Sequence, residues 1–383
     1  MPEQPLTIYF PGKLVFGNGT LPQLANDITA LHPAKVFLLT IDPLLNSLQL
    51  FKNSLEEAGI KILQDTSIVA EPSFSDFENL MEKVKPFNPD IVIGIGGGSV
   101  LDVAKLVAAQ LDNEQQLKDY VGIGLLKGRK KKLICVPATS GTGSEVSPNA
   151  ILIDEENQKK GIISPFLVPD IVYVDPLLTI SLPASITAAT GMDALTHCLE
   201  AFTNKFAQPL IDTYALKGIE LIAANIETAV TNGQDTIARE NLAMGSLLGG
   251  FCLGPVNTAG VHALSYPLGS MFHLAHGLSN ALLLPFVMEY NIPAAPEKYA
   301  HVALALGCKQ AATAFDTAMA GVEKIRSLNK ACGIPANLQE VNVPPSAIPQ
   351  MAADAMKIQR LLKNNPREIT LEDAIQIYQS ASV

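Results

Sequence analysis

Up to about residue 180, short unbroken apolar runs alternate with longer stretches in which apolar residues recur every three or four positions. Residues 35–40 (KVFLLT), 90–95 (DIVIGI), 132–136 (KLICV) and 171–174 (IVYV) are brief, rich in branched side chains and bounded by turn residues. They predict buried strands. Residues 45–58 and 74–84 carry apolar positions at helical spacing and predict helices between those strands. Strand and helix in repetition imply a parallel sheet covered by helices. Residues 150–164 alternate around the polar turn DEENQKK and predict a hairpin. After Pro183 the texture changes. Residues 184–202, 208–231, 235–252, 258–271 and 278–290 are long, rich in Ala and Leu, and helical in period. The expected organisation is an α/β domain over residues 1–183 and an all-helical domain over residues 184–383.

Composition narrows the class. Of 383 residues 48% are hydrophobic and 17% charged, which suits a large core and excludes a mostly disordered chain. The net charge of −10 argues against nucleic acid or an anionic membrane surface as a partner. No apolar run reaches the ~18 residues of a membrane span; the one over 281–288 is short and contains Pro285. The N-terminal segment MPEQPLTIYF has no secretion-signal pattern. The five cysteines form neither a CxxC pair nor an even framework, so a cytoplasmic location is expected. The basic cluster 127–132 (KGRKKK) reads as a solvated loop entering a strand.

Two small-residue loops carry the first chemistry. Residues 94–105, GIGGGSVLDVAK, follow a predicted strand and open a predicted helix. Gly97 and Gly98 let backbone N–H groups approach a phosphate, the helix N-terminus adds positive potential, and Ser99 is expected as N-cap. Ser99 also stands where the usual GxGxxG fingerprint has its last glycine. The second loop, 137–147 (PATSGTGSEVS), follows the next strand and offers several hydroxyls. Loops at the carboxyl ends of neighbouring parallel strands meet at one crevice. The pair therefore predicts a Rossmann-like nucleotide-binding domain.

The second chemistry is a ligand set. Asp193 and His197, four apart, share one helix face. His262 and His276 complete three imidazoles and a carboxylate, a set that suits Fe(II) or Zn(II) equally. On one straight helix His262 and His276 would stand ~21 Å apart, at ~1.5 Å per residue. One ion needs ligands ~2 Å away, so a bend or break is expected near Pro267 and Gly269. His273 reads either as a ligand or as a neighbour of His276.

These segments carry a resemblance over nearly the whole chain. A compressed FxxPxxxxFGxG pattern from Phe10, GGGSVLDVAK, PATSGTGSEVS, GMDALTHCLEAF and GVHALSYPLGSMFHLAHGLSNALLLP follow one another as in the iron-containing (group III) alcohol dehydrogenases of the dehydroquinate synthase-like fold. The chain is similar to that family in their order and spacing. The resemblance implies metal ligands at Asp193, His197, His262 and His276, and a diphosphate loop at Gly97, Gly98 and Ser99. It also implies an acidic position near the nicotinamide at Asp102, cofactor contacts at Thr139 and Thr142, and a basic position in the hairpin at Lys160. The implied cofactors are NAD or NADP with Fe2+, Zn2+ being the alternative ion. The implied reaction is hydride transfer between nicotinamide and a small primary alcohol or aldehyde at the metal, in a cleft between the domains of a homodimer or larger homo-oligomer.

Two positions depart from the family pattern. Tyr266 replaces a histidine often found four residues after His262, so Tyr266 or His273 is expected to serve as substrate contact or proton relay, or only to pack. Ile41 stands where an acidic residue after LLT often favours NAD, with Asp42 next. Three other readings compete: a metal-independent maleylacetate reductase-like enzyme, a dehydroquinate synthase-like lyase, and a nucleotide-binding sensor with a structural ion.

Overall fold

The structure, a computed structural model, describes residues 5–156 and 158–382. Asn157, in the turn of the expected hairpin, and residues 1–4 of the N-terminal segment lie outside the described residues. The described residues form two compact units: one within Tyr9–Thr139 and Gly143–Ser181, the other within residues 182–382, Ser140–Thr142 and residues 5–8.

The first unit runs β1 (Lys13–Phe16), α1 (Leu21–Ala30), β2 (Lys35–Leu39), α2 (Leu45–Glu57), β3 (Lys61–Asp65), α3 (Phe74–Phe87), β4 (Ile91–Gly96) and α4 (Gly98–Gln110). It continues through β5 (Gly122–Ile123), β6 (Lys132–Pro137), β7 (Asn149–Ile153), β8 (Lys159–Ile163) and β9 (Ile171–Val174). Six parallel strands form one sheet in the order β1-β9-β6-β4-β2-β3. Side chains alternate across it. Val36, Leu38, Ile91 and Ile93 pack with α1 and α2, while Phe37, Leu39 and Val92 pack with α3 and α4. Both faces are covered, which is why the central strands read as unbroken apolar runs.

Counted from β2, the strand order is the flavodoxin-like 2-1-3-4-5 of doubly wound sheets, with β1 added at the far edge. The chain changes direction across the sheet between β2 and β4, and ligands bind at the carboxyl ends of strands flanking such a point. Tight packing of β4 on α4 fixes that end: a Cβ at Gly94 would meet Ala104 Cβ at 2.7 Å, and one at Gly96 would meet Val100 at 2.8 Å. β7 and β8 form the expected hairpin, with Ile151 opposite Gly161, and β5 joins β8. The 127–132 loop is more structural than its charge suggests. Arg129 donates to the carbonyls of Phe166, Lys131 and Val168 and to Asp170.

The second unit is helical: α5 (Ala184–Thr203), α6 (Pro209–Thr231), α7 (Thr236–Leu253), α8 (Gly260–Phe272), α9 (His276–Asn291), α10 (Pro296–Ala305), α11 (Ala314–Ala331), α12 (Ile348–Ala355), α13 (Gln359–Leu362) and α14 (Leu371–Ser380). α5 is buried on all sides from Gly191 to Thr203, packed by α6, α7 and α9. Such a helix has no solvent face for Asp193, His197 and Glu200, so each of these must find a partner inside. Among the described residues, no helix is long and apolar enough to cross a membrane.

The break between His262 and His276 is not at Pro267 or Gly269, as the sequence suggests. α8 runs through both and ends at Phe272. His273 takes the left-handed conformation (φ 55°), and its N–H caps the helix on the Gly269 carbonyl. That reversal starts α9 at His276 and returns it beside α8.

Candidate functional site

Asp193, His197, His262 and His276 come together, their ligand atoms all within 4.8 Å of one another. Asp193 and His197 share a face of α5, His262 comes from the first turn of α8, and His276 is the first residue of α9. Close approach of α9 to α5 makes this convergence: a Cβ at Gly277 would stand 2.2 Å from the Ala189 carbonyl oxygen and 3.2 Å from Asp193 Cβ. Only glycine fits there.

The donors have the spacing a single cation requires. Asp193 Oδ1 lies 3.7 Å from His197 Nε2, 3.6 Å from His262 Nε2 and 3.7 Å from His276 Nε2. Ligands ~2.1 Å from a common ion, at tetrahedral angles, stand about 3.4 Å apart. The His197 and His262 rings stack at 4.8 Å, and the His276 ring meets that of His262 edge-on at 5.2 Å. The His276 side chain is 27% exposed and the other three 3–6%, so the centre opens on the His276 side. His273 is exposed and lies outside the ligand cluster. The Tyr266 ring lies 5.9 Å from that of His276, and its hydroxyl accepts from Arg360 at 3.1 Å.

Protonation suits coordination at Asp193 and His197. Burial alone would raise Asp193, but His197, His276 and His262 reverse this and hold its carboxyl well below the usual carboxylate range. Burial drives His197 down, leaving a neutral imidazole with a lone pair to give. Burial also pulls His262 down, yet Glu200 and Asp193 prevail and push it up to about 10. A cation therefore competes with a proton for that nitrogen.

Glu200, which the sequence reading missed, organises His262. Its buried carboxylate accepts from His262 Nδ1 (2.6 Å), the Val261 amide (2.6 Å) and the Ala259 amide (3.0 Å). A carboxylate only accepts, so Nδ1 carries the proton and Nε2 faces Asp193. One side chain thus caps α8 and fixes the ring that a cation would meet. Its signal in the sequence is its place three residues after His197, on the same helix face. Asn280 likewise follows His276 by one turn and donates to Asp193 Oδ1 at 2.7 Å.

The sheet unit builds a second surface. α4 begins at Gly98 with Gly97, which has no side chain to cap it, as N-cap. Ser99 is therefore not the N-cap expected from the sequence; it lies within the first turn. The cause is the extended backbone of Gly97 (ψ −179°), which starts the helix before Ser99 is reached. First-turn N–H groups of a helix have no partner within the helix and can receive an anion. Gly96 pairs with Pro137 across β4 and β6, and Thr139 lies beside Gly97, so the two loops are neighbours.

The remaining expected residues have partners within the protein. Asp102 accepts from the Ser144 hydroxyl and the Ile151 amide (2.9 Å) and lies 3.8 Å from Lys105 Nζ. Lys105, fully buried, donates to Ser144 Oγ (2.8 Å) and to the carbonyls of Ser147 (3.0 Å) and Asn149 (2.8 Å). Together they lash the hydroxyl-rich loop to α4. Lys160 pairs with Asp154 at 2.9 Å across the hairpin turn. Thr142 groups with the helical unit, next to Gly141, where a Cβ would meet Thr190 at 2.7 Å.

Residues 11–176 match the model described as iron-containing alcohol dehydrogenase, and residues 187–382 that of the Fe-containing alcohol dehydrogenase family, C-terminal. The chain is 37% identical over 381 residues to long-chain-alcohol dehydrogenase 1 of Geobacillus thermodenitrificans, covering 98% of this chain and 96% of that one. The crystal structure of a 1,3-propanediol oxidoreductase superposes with a TM-score of 0.95 at 32% identity, covering 99% of this chain and all of that one. Sulfoacetaldehyde reductase from Bifidobacterium kashiwanohense, in complex with NAD+, gives 0.88 at 26% identity, with 99% of each chain covered.

Two outcomes follow for the residues around these surfaces. Glu200→Ala strands one imidazole N–H and two amides, each orphaned donor costing about 1–3 kcal/mol, so denaturant unfolding should show a loss of about 3 kcal/mol or more; a loss below about 1 kcal/mol contradicts the arrangement. The second concerns Glu145, whose carboxyl burial raises from 4.5 to about 7, Lys105 opposing only in part. Its folded value exceeds its unfolded one, so the native state holds the proton longer. Its contribution is full below about pH 4.5 and is lost as pH rises to about 7. Urea midpoints across that window should fall less steeply with rising pH in Glu145→Gln than in the wild type; equal slopes contradict the assignment.

Proposed function

The chain belongs to the iron-containing alcohol dehydrogenase family, an oxidoreductase acting on CH–OH groups, and from that premise we propose an NAD-linked enzyme that interconverts a small primary alcohol and its aldehyde at a divalent cation. The observation that carries this reading is the convergence of Asp193, His197, His262 and His276 at coordination spacing, with one open side. We assign these four as ligands of Fe(II), a site whose donors suit Zn(II) as well. The complete set speaks against a metal-independent, maleylacetate reductase-like enzyme. The open side at His276 speaks against a closed structural ion in a sensor.

When bound, the cation supplies a Lewis acid for the substrate oxygen and the nicotinamide supplies or accepts the hydride. The protein's own residues do the rest. Asp193, held ionised, offsets the cation's charge, and Glu200 keeps His262 turned toward it. Tyr266, beside His276, borders the open side and is placed to touch substrate, its hydroxyl steadied by Arg360. His273 acts through its backbone, by ending α8. On the sheet unit, Gly97, Gly98 and Ser99 receive the diphosphate at the N-terminus of α4, with Thr139 alongside. Asp42, exposed just past the carboxyl end of β2, favours NAD over NADP by accepting from a ribose hydroxyl and repelling a 2′-phosphate. Asp102 and Lys160 shape the surrounding loop and hairpin through their own ion pairs. We place the enzyme in the cytoplasm as a homodimer or larger homo-oligomer.

The test follows absorbance at 340 nm with NADH or NADPH and a panel of short aldehydes on anaerobically iron-loaded protein. Consumption of NADH in preference to NADPH is expected. Asp193→Ala and His262→Ala should each lower kcat by at least about 1000-fold, the several kcal/mol a metal Lewis acid supplies. Nucleotide affinity should stay within about threefold. Turnover that survives in either metal-free variant contradicts the assignment.

A further inference from the structure

Asn280 is fully buried on α9, one turn after His276. Its Nδ2 donates to Asp193 Oδ1 at 2.7 Å and lies 3.1 Å from His262 Nε2 and 3.4 Å from His276 Nε2. The amide faces the carboxylate through nitrogen because the alternative would set two acceptor oxygens against each other at 2.7 Å. This choice leaves Asn280 Oδ1 buried without a hydrogen-bond partner among the described residues. A buried acceptor left unmatched needs a reason, and the reason lies at the other end of the amide.

Asp193 Oδ1 is the oxygen that faces all three Nε2 atoms. A hydrogen bond to that oxygen prevents the carboxylate from turning about its Cβ–Cγ bond to present both oxygens. It also draws electron density from the donor atom, so the cation keeps more of its polarising power. We propose that Asn280 is a positioning residue that holds Asp193 as a single-oxygen ligand and sets how strongly the centre binds and polarises. The inference rests on the metal-centre reading above and deepens it.

The test titrates Co(II) into metal-stripped wild type, Asn280→Ala and Asn280→Ser against a competing chelator, with d–d bands reporting ligand geometry and far-UV circular dichroism reporting folding. Wild type should take up one Co(II) per chain. Asn280→Ala should bind 10–100-fold more weakly, the usual cost of losing a partner of a metal ligand, with shifted and weakened bands, and Asn280→Ser should fall between the two. Bands that superimpose on wild type with affinities within about twofold overturn the proposal. If the alanine variant does not fold, the serine variant decides by the same criteria. A wild type that takes up no Co(II) overturns the metal centre itself, and this proposal with it.

Discussion

The helical unit is organised around an ionised carboxylate buried away from bulk solvent. Asp193 lies in the middle of a helix buried on every side, where an unpaired charge would cost several kcal/mol. Three imidazole nitrogens and one amide surround it. The surrounding features serve that arrangement. Gly277 admits α9 to within touching distance of α5, the left-handed turn at His273 returns the chain so that His276 comes back to His262, and Glu200 orients His262 while capping α8. A divalent cation is the group that satisfies all four donors at once, and its proposed chemistry is the chemistry of that imbalance.

The sheet unit is organised differently, around backbone N–H groups at the start of α4 that the proposed function gives to a diphosphate. The reversal of strand order between β2 and β4 opens the carboxyl ends of those strands, and the Gly97 cap leaves the first turn of α4 unfilled. The buried Lys105, with Asp102 and Ser144, then holds the neighbouring loop in place. A lysine so placed, making three hydrogen bonds out of water, is a structural clamp rather than a binding surface.

Much of this was legible from residue order. The central strands stood out because burial on both faces leaves only apolar residues. β3 did not, because Gln64 and Asp65 at the sheet edge break the run, and β1, at the opposite edge with no buried position, opens on a lysine and lacks the fully apolar run that marks the equally short β9. The four side chains that converge here are marked in the sequence by residue type, helical spacing and a family pattern. The chain break between two of them was misplaced because Pro267 and Gly269 are stronger local signals than a histidine with positive φ. The Ser99 side chain suits a cap, but the extended backbone of Gly97 starts the helix two residues earlier. Glu200 and Asn280 each lie one helical turn from a ligand, a spacing that could have marked them; what they touch depends on helices paired far apart in the chain.

X-ray absorption at the metal edge, with elemental analysis of anaerobically purified protein, reads the proposed centre itself. One divalent ion per chain is expected, with about three imidazole nitrogens and at least one oxygen at ~2.0–2.2 Å. A chain that holds no ion, or an ion bound by sulfur or by fewer than two imidazoles, would contradict it.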